Sequence, residues 1–249
     1  MLIKNDKYCP LISIITVSFN SEATIERTIQ SILDQKYNNI EHIIIDGLSS
    51  DKTLEIIKKY GDKVRYYSEP DEGIYDAVNK GLKLYSGEYV GFVFSDDYLF
   101  PDAIDILVKY IRKYPYKDFF FGSVRKHYGI VHGYRPWMIP FSWGFYTSFS
   151  PGFFIKRSSQ KKLGFFNLKY KCSSDYDYFY KMIAKEKFKG VGTKKNELFG
   201  VFSRGGFSSK INSFDHMFEC TKIRLDNQQN KILILITLVL KFITNLKRL

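Results

Sequence analysis

Two adjacent carboxylates, Asp96 and Asp97, directly follow an apolar run that is typical of a buried strand. Like charges side by side raise one another's pKa, and a hard divalent cation removes that cost. Mg²⁺ in proteins is typically held by one or two carboxylates together with oxygen atoms of a substrate phosphate. The pair therefore indicates either a cation site for a phosphorylated substrate or a solvated turn that caps a helix beginning near Pro101. The residues alone leave both interpretations open.

A second acidic residue, Asp46, ends another β-branched apolar run and precedes the turn at residues 47–50. A carboxylate in this position can accept hydrogen bonds from a nucleobase or from a ribose hydroxyl. Capping of the next helix by Ser50 or Asp51 explains the turn but does not explain Asp46. The chain has neither a GxGxxG nor a GxxxxGK[ST] pattern, which argues against a Rossmann dinucleotide site and a P-loop.

A third group, Asp76, Asn79 and Lys80, is spaced at i, i+3 and i+4 and shares one face of a predicted helix. This spacing fits a shared binding face. It fits an Asp76–Lys80 surface pair equally well.

The elements that must position these groups alternate regularly in the first half of the chain. Strands are predicted at residues 12–18, 42–46, 64–67, 89–94 and 118–122, with helices between them at 22–36, 51–60 and 74–85 and another from about 101. This alternation predicts an α/β fold with a mainly parallel, twisted sheet and helices on both faces. Ligands of such sheets bind beyond the carboxyl ends of the strands, where Asn20, Asp46 and Asp97 would meet.

After about residue 125 the pattern becomes irregular, rich in aromatic residues and interrupted by prolines, and a regular sheet is not expected there. Helical periodicity returns at 174–186 and from about 214. Residues 1–124 carry a net charge of −4 and residues 125–249 a net charge of +16, within a total of +12. A basic half attracts a phosphorylated substrate, an anionic membrane or nucleic acid. The absence of any nucleic-acid-binding signature argues against the last of these.

Composition excludes two further classes of protein. With 45% hydrophobic and 17% aromatic residues, the chain is not intrinsically disordered. Its three cysteines form no CxxC pair, which argues against a zinc site and a disulfide framework.

Taken in order, residues 17–21, 46–53, 73–81, 87–90 and 95–97 resemble the motifs of the family 2 inverting glycosyltransferases of the GT-A fold. The resemblance is closest to bacterial enzymes that build surface polysaccharide, such as capsule, O-antigen or exopolysaccharide. It implies transfer of a sugar from a nucleotide-sugar, with a UDP-sugar favoured, to a glycan or lipid-linked glycan acceptor. It also implies dependence on Mn²⁺ or Mg²⁺.

The resemblance assigns roles to individual residues. Asp97 would bind the metal directly, and Asp96 would lie nearer the ribose or sugar, with metal binding as its alternative role. Asp46 would bind the base, and Arg204 would meet the diphosphate, although an ordinary surface arginine fits this position as well. The remaining residues implied on the donor side are Ser18, Asn20, Asp76, Asn79 and Lys80.

Inverting transfer needs a base that removes the proton of the acceptor hydroxyl. Residues 173–177 resemble the family segment that bears this carboxylate, so Asp175 is the implied base and Asp177 the reserve candidate. Helix capping is the alternative role for Asp175. Where related sequences often have a His-Gln pair, this chain has Ser150-Pro151. That departure keeps open a catalytically inactive protein that only binds nucleotide-sugars.

The chain is expected to consist of a nucleotide-sugar-binding half (1–125), an acceptor and catalytic-base half (126–210) and a helical tail (211–249). The longest apolar run, residues 232–240, falls short of the roughly 20 residues that span a bilayer. The tail is therefore expected either to lie on a membrane surface or to pack on the body or on another subunit of a homo-oligomer. No secretory signal is visible, so a cytoplasmic location is expected, at the inner face of the cytoplasmic membrane if the tail binds lipid.

Overall fold

The computed structural model describes residues 8–206 and 211–246, with the side chains of 244–246 excepted. In these ranges the strands are β1 (Ile12–Ser18), β2 (Ile40–Asp46), β3 (Arg65–Ser68), β4 (Tyr89–Phe92), β5 (Tyr98–Leu99), β6 (Phe119–Phe121), β7 (Ser123–Lys126), β8 (Gly129–Val131), β9 (Phe153–Lys156), β10 (Gly190–Gly192) and β11 (Leu198–Val201). The α-helices are α1 (Ile25–Leu33), α2 (Thr53–Lys58), α3 (Ile74–Leu84), α4 (Ala103–Lys113), α5 (Arg157–Leu163), α6 (Ser174–Tyr180), α7 (Ser213–Asp226) and α8 (Lys231–Leu246). Short 3₁₀ helices occupy Gly61–Lys63 and Pro136–Phe141, and a π-helical turn, Lys181–Lys185, continues α6.

The main sheet has seven strands in the order β10-β6-β9-β4-β1-β2-β3. The neighbours β1, β2, β3 and β4 run parallel, as do β6 and β10, whereas β9 runs antiparallel to both β4 and β6. The predicted mainly parallel sheet is confirmed. The strand order brings the carboxyl ends of β1, β2 and β4 together at one edge.

Both faces of this sheet are covered, because alternate side chains of β1 enter different cores. Ile15 and Val17 belong to the core that contains residues of α3 and α6. Ile12 and Ile14 lie in the opposite core, with residues of α4 and Ile32 of α1. This arrangement explains why all seven residues of β1 are buried and why isoleucine or valine occurs at both alternating sets of positions: a strand buried on both faces has no solvent side.

Helix α3 lies unusually close to β1, since a Cβ atom on Gly81 would stand 2.5 Å from Cγ2 of Ile15. Only glycine allows this approach. It fixes α3, and with it the group Asp76, Asn79 and Lys80, against the strand that ends at Ser18.

The second half of the chain is more regular than the sequence pattern indicated. Strands β9 and β10 complete the main sheet, and β5, β11, β7 and β8 form a second, four-stranded sheet. The expectation of an irregular region holds for residues 132–152, which contain only a short 3₁₀ helix. It was wrong for these strands, because three- and four-residue strands are too short to produce a periodic signal.

Candidate active site

Asp46 lies at the centre of the parallel strand ends. It pairs in register with Ser18 of β1 and with Ser68 of β3. Its fully buried carboxylate accepts hydrogen bonds from the hydroxyls of Ser18 (3.1 Å), Ser68 (2.7 Å) and Ser49 (2.5 Å) and from the Ser49 N–H (3.0 Å). Four donors offset the cost of burying this charge. Asp46 thereby joins the ends of three strands to the turn that follows β2.

Asn20 is exposed directly after β1 and adopts a positive φ of 47°. Its N–H donates to Ser49 Oγ (2.9 Å), and its side-chain oxygen accepts from the Ser50 N–H (2.9 Å). Asparagine tolerates this left-handed conformation better than most residues. The turns after β1 and β2 are therefore held together as one rim, with Asn20 at its surface.

Asp97 is almost completely buried, with 1% of its surface exposed. Its oxygens accept hydrogen bonds from Ser150 Oγ (2.5 Å) and from the Ser203 N–H (2.8 Å). Burial and the neighbouring Asp96 raise the pKa of Asp97 to about 7 against the lowering effect of these hydrogen bonds and of Lys126. This carboxylate therefore lacks full compensation within the described part of the chain.

Asp96 is half-buried, and burial raises the pKa of its carboxyl group as well. Arg27 donates to the Asp96 carbonyl oxygen (2.7 Å) and to Ser203 Oγ (3.2 Å). A Cβ atom on Gly206 would stand 1.9 Å from Asp96 Oδ2, so the loop around residues 202–206 passes tightly over this carboxylate. The loop and Arg27 thus close one side of the acidic pair.

The acidic pair fits a divalent cation that is shared with a substrate. The described residues contain no cluster of three or more His, Cys, Asp or Glu side chains able to hold a metal by themselves. Both carboxyl groups nevertheless have raised pKa values, and a cation would relieve the repulsion between them. Each Asp97 oxygen accepts one hydrogen bond from the protein and keeps a further lone pair. Asp97 and Asp96 would hold the ion, and phosphate oxygens and water would complete its coordination.

Asp175 lies in the first turn of α6, and its carboxylate accepts hydrogen bonds from two tyrosine side chains. The hydroxyls of Tyr75 (3.1 Å) and Tyr146 (3.2 Å) donate to its two oxygens, and the Tyr176 N–H donates to Oδ1 (2.9 Å). Burial raises the pKa of Asp175, and these donors together with His216 act in the opposite direction. A carboxylate that is held in one orientation and has a raised pKa is suited to accept a proton.

Asp177, the reserve candidate, has different neighbours. It is buried, accepts a hydrogen bond from Asn227, directly after α7 (2.7 Å), and forms an i, i+4 ion pair with Lys181 (2.8 Å). The contact with Asn227 attaches α6 to the end of α7. Of the two carboxylates, only Asp175 accepts hydrogen bonds from tyrosine hydroxyls within the described residues.

The predicted group on α3 divides into two parts. Asp76 and Lys80 form the expected i, i+4 ion pair (3.5 Å), and Lys80 also contacts Glu69 (3.2 Å) and the Pro70 carbonyl. Asn79 is buried and exchanges two hydrogen bonds with the backbone of Phe166, at 2.9 and 2.8 Å. Asn79 thus ties α3 to the segment before α6, while Asp76 and Lys80 stay at the helix surface.

Lys126 is a basic residue whose charge acts on both Asp97 and Asp175, and its local sequence gave no signal of this. It ends β7 half-buried, with its Nζ 4.7 Å from the centre of the Phe202 ring. Burial lowers the pKa of Lys126, while the charges of both Asp97 and Asp175 oppose that shift. The positive charge of Lys126 therefore acts electrostatically on both carboxylates, without an ion pair to either within 4 Å in the described part of the chain.

The structure gathers most of the residues singled out from the sequence, and it adds partners from distant segments. Arg204 is exposed and belongs to the loop that passes over Asp96. The partners that sequence reasoning missed are Ser49, Ser68, Tyr75, Lys126, Tyr146, Ser150 and Ser203. Tyr75 has a local signal, because it stands beside Asp76 in the segment 73–81. Ser49 lies in the motif 46–53, and Ser150 belongs to the Ser150-Pro151 pair that departs from related sequences. Ser68, Lys126, Tyr146 and Ser203 come from loops and strands in which no local pattern marks them.

Comparison with known proteins gives a consistent result. The family model described as glycosyl transferase family 2 matches residues 13–184. An uncharacterized glycosyltransferase of Rickettsia felis is 36% identical over 124 residues, which are 47% of this chain and 21% of the relative. Chondroitin synthase of Pasteurella multocida is 39% identical over 107 residues, which are 42% of this chain and 11% of the synthase. The chain thus matches only a small part of these relatives' length.

Two solved structures share the fold. TarS 1–349 of S. aureus in complex with UDP-GlcNAc has a TM-score of 0.67 at 19% identity, with 86% of this chain and 65% of TarS covered. The mannosyltransferase PcManGT from Pyrobaculum calidifontis in complex with GDP-Man and Mn²⁺ has a TM-score of 0.65 at 17% identity, with 88% of this chain and 64% of PcManGT covered. At these identities the likeness is one of fold, and the GT-A fold expected from the sequence is confirmed.

Proposed function

Because this chain belongs to glycosyl transferase family 2, we propose that it moves a sugar from a nucleoside diphosphate, preferably UDP, to an acceptor hydroxyl with inversion at the anomeric carbon. The observation that carries this proposal is the acidic pair Asp96 and Asp97 beyond the strand ends, where the almost completely buried Asp97 keeps a pKa raised to about 7 despite its hydrogen bonds from Ser150 and Ser203. Asp175, whose two carboxylate oxygens accept hydrogen bonds from Tyr75 and Tyr146, is the candidate base.

On the donor side, the nucleotide lies against the rim formed by Ser18, Asn20 and Asp46. All four hydrogen bonds that Asp46 accepts come from the protein. A base N–H therefore gains access to Asp46 by replacing a hydroxyl donor, and the bond from Ser18 is the longest of the three hydroxyl bonds, at 3.1 Å. Asp76 and Lys80 border the same pocket from α3, and Asn79 keeps that helix in place.

In this proposal Asp97, assisted by Asp96, would hold Mn²⁺ or Mg²⁺. When bound, the ion would supply Lewis-acid stabilisation of the charge on the departing diphosphate. Lys126 and Arg204 add positive charge on the same side, and Lys126 is the better placed because it is already half-buried beside Asp97. A fixed, desolvated cation stabilises developing negative charge more strongly than a solvated one.

Asp175 removes the proton of the acceptor hydroxyl as that oxygen attacks the anomeric carbon. Tyr75 and Tyr146 hold the carboxylate in one orientation, so that it is positioned before the acceptor binds. The raised pKa of Asp175 makes it a stronger base than an exposed aspartate. Asp177 serves the packing of α6 on α7.

The acceptor is proposed to be a growing bacterial surface polysaccharide or a lipid-linked precursor of one. The similarity to chondroitin synthase and hyaluronan synthase of Pasteurella multocida supports the polysaccharide class. The basic second half of the chain, with a net charge of +16, favours an anionic acceptor or carrier.

The first experiment is calorimetric titration of the protein with UDP, GDP and dTDP, each with and without Mn²⁺. We expect saturable binding of one nucleotide, UDP, that requires the metal and that Asp97→Asn abolishes. Asp46→Asn serves as the comparison, since it should weaken base recognition and leave the metal requirement unchanged. If Asp97→Asn and the unmodified protein bound UDP with equal affinity in the presence of Mn²⁺, the assignment of Asp97 as a metal ligand would be contradicted.

Turnover is tested next, by following release of UDP from UDP-sugars in the presence of candidate acceptors and by assigning the anomeric configuration of the product by NMR. Inversion of that configuration is the expected result. Tight, metal-dependent nucleotide binding with no turnover for any donor and acceptor would favour the inactive nucleotide-sugar-binding protein instead.

A further inference from the structure

The C-terminal helix α8 is oriented with its polar side toward the protein and its apolar side outward. Thr237 is fully buried, and Arg224 of α7 donates a hydrogen bond to its hydroxyl. Lys241 donates to Ser142 Oγ (2.6 Å) and lies 5.4 Å from the centre of the Trp143 ring. These contacts fix the rotation of the helix about its axis.

Arg224 is the main polar group beneath α8. It is 1% exposed, and besides Thr237 it contacts Ser142 Oγ (3.1 Å) and the hydroxyl of Tyr176 (3.4 Å). A buried guanidinium needs such hydrogen bonds to offset its desolvation. Rotation of α8 that placed its apolar side inward would leave Arg224 without Thr237, so the observed orientation is strongly specified.

The outward side of α8 forms a continuous apolar surface, defined here as the α8 apolar face. Its residues follow i, i+3, i+4 spacing and are 46–71% exposed: Ile232, Leu235, Ile236, Val239, Leu240 and Ile243. Soluble helices normally bury such a stripe. Exposed apolar surfaces of this kind mark sites of interaction with a membrane or a protein.

We propose that the α8 apolar face lies flat on an anionic lipid bilayer. The helix of 16 residues is about 24 Å long, which is enough for a surface anchor and too short to cross the hydrocarbon core. Among the residues that the structure describes, no helix has the length and apolar character needed to span a membrane. An interfacial helix instead buries its apolar side at the boundary between headgroups and acyl chains.

Charge favours an anionic bilayer over a second copy of the chain. Residues 227–249 contain Lys231, Lys241, Lys247 and Arg248 and no aspartate or glutamate. Two such tails packed against each other would bring like charges together, whereas negatively charged headgroups attract them. The exposed ring of Trp143 beneath Lys241 is a further residue type that is enriched at membrane interfaces.

Co-sedimentation of the full-length protein with vesicles tests this proposal. Vesicles of phosphatidylcholine alone are compared with vesicles that also contain phosphatidylglycerol, without any sugar donor, so the result does not depend on the proposed transferase activity. The double variant Leu235→Gln/Val239→Gln removes two neighbouring side chains of the α8 apolar face and keeps good helix formers. Tyr116→Gln/Tyr128→Gln is the matched control, because both tyrosines are more than 60% exposed outside α7 and α8.

We expect the unmodified protein and the tyrosine control to bind the anionic vesicles, and the helix variant to bind them about tenfold more weakly or worse. Raising the salt concentration should weaken binding, because headgroup attraction is screened. Equal binding by the helix variant would overturn the proposal. So would absence of vesicle binding together with a dimer, measured by light scattering, that the helix variant abolishes, since the α8 apolar face would then pair with a second copy. A monomer that binds no vesicles contradicts it equally.

Discussion

At the scale of single residues, the site is defined by how the structure compensates each buried charge. Asp46 has four protein donors, Asp177 has Asn227 and Lys181, and both are therefore satisfied without a ligand. Asp97 and Asp175 keep raised pKa values despite their hydrogen bonds. Perturbed carboxylates of this kind are concentrated at functional sites, which supports the proposed roles of Asp97 and Asp175.

Asp175→Asn is expected to leave donor binding and folding intact and to reduce the transfer rate by about 10²–10⁴, because an amide cannot accept the proton. Asp177→Asn is the control, with the opposite profile. It should retain the chemistry but lower the free energy of unfolding by about 1–3 kcal/mol, since it weakens the buried contacts to Lys181 and Asn227. Turnover, calorimetric binding and denaturant melts distinguish the two. Full activity of Asp175→Asn would move the base elsewhere.

Tyr146→Phe is expected to shift the acid limb of the pH–activity profile upward by about 1 pH unit. Asp175 acts as a base only when ionised, so activity falls as the pH drops through its pKa. The Tyr146 hydroxyl stabilises the ionised form, and loss of one such hydrogen bond, about 1 kcal/mol, raises the pKa. Tyr75→Phe should act in the same direction. The measurement is kcat/KM from pH 5 to 9, and a profile shifted toward acid would contradict the assigned orientation.

At the scale of elements, the parallel strands and the helices of the first half of the chain can be predicted directly from local sequence patterns. The predicted bounds of β1 are the observed ones, since a strand buried on both faces has a dense run of apolar, β-branched residues that stands out in the sequence. Helices α1 and α2 are shorter than predicted, because capping residues and turns extend the apparent periodicity.

The partners of the acidic residues could not be predicted in the same way. Ser150 and Ser203 reach Asp97 across 53 and 106 residues of sequence. A serine in a loop carries no periodic or motif signal, so only the assembled fold reveals its role. Lys126 is similar, because its relation to Asp97 and Asp175 depends on the second sheet, whose short strands the pattern did not predict.

Gly81→Ala is expected to destabilise the protein by about 1–3 kcal/mol, even though alanine favours helix formation. The new Cβ would stand 2.5 Å from Ile15 Cγ2, so α3 must move away from β1. Movement of α3 also displaces Tyr75, and the transfer rate should fall with stability. Lys83→Ala, at an exposed position of the same helix, is the control and should change stability by less than about 0.5 kcal/mol. Denaturant unfolding measures both, and an unchanged Gly81→Ala protein would refute the close packing.

At the scale of the whole molecule, the proposed donor site joins parts that are far apart in the chain. The strand ends of the first half, Ser150 from the central loop and Ser203 from the loop after β11 all meet at or near Asp97. A ligand that binds at such a junction stabilises the folded state of the whole protein, because the unfolded chain does not form the binding site.

Saturation with UDP and Mn²⁺ is accordingly expected to raise the Tm. A ligand at 100 times its Kd contributes about 2.7 kcal/mol. For a domain of this size that corresponds to a rise of roughly 5–10 °C. Differential scanning fluorimetry measures the shift, and Mn²⁺ alone and Asp97→Asn with both ligands are the controls that should show little of it. An equal rise for Asp97→Asn would place the stabilising site away from the acidic pair.

The antiparallel position of β9 between β4 and β6 has a consequence for the protein during its synthesis. β4 leaves the ribosome before β9, and the roughly 60 residues between them take about 3–12 s to translate at 5–20 residues per second. Throughout that interval the backbone groups along one side of β4 lack their partner strand β9. An apolar strand with such an unpaired edge can pair with strands of other chains. Slow translation before residue 153 would therefore prolong the exposure of this strand edge.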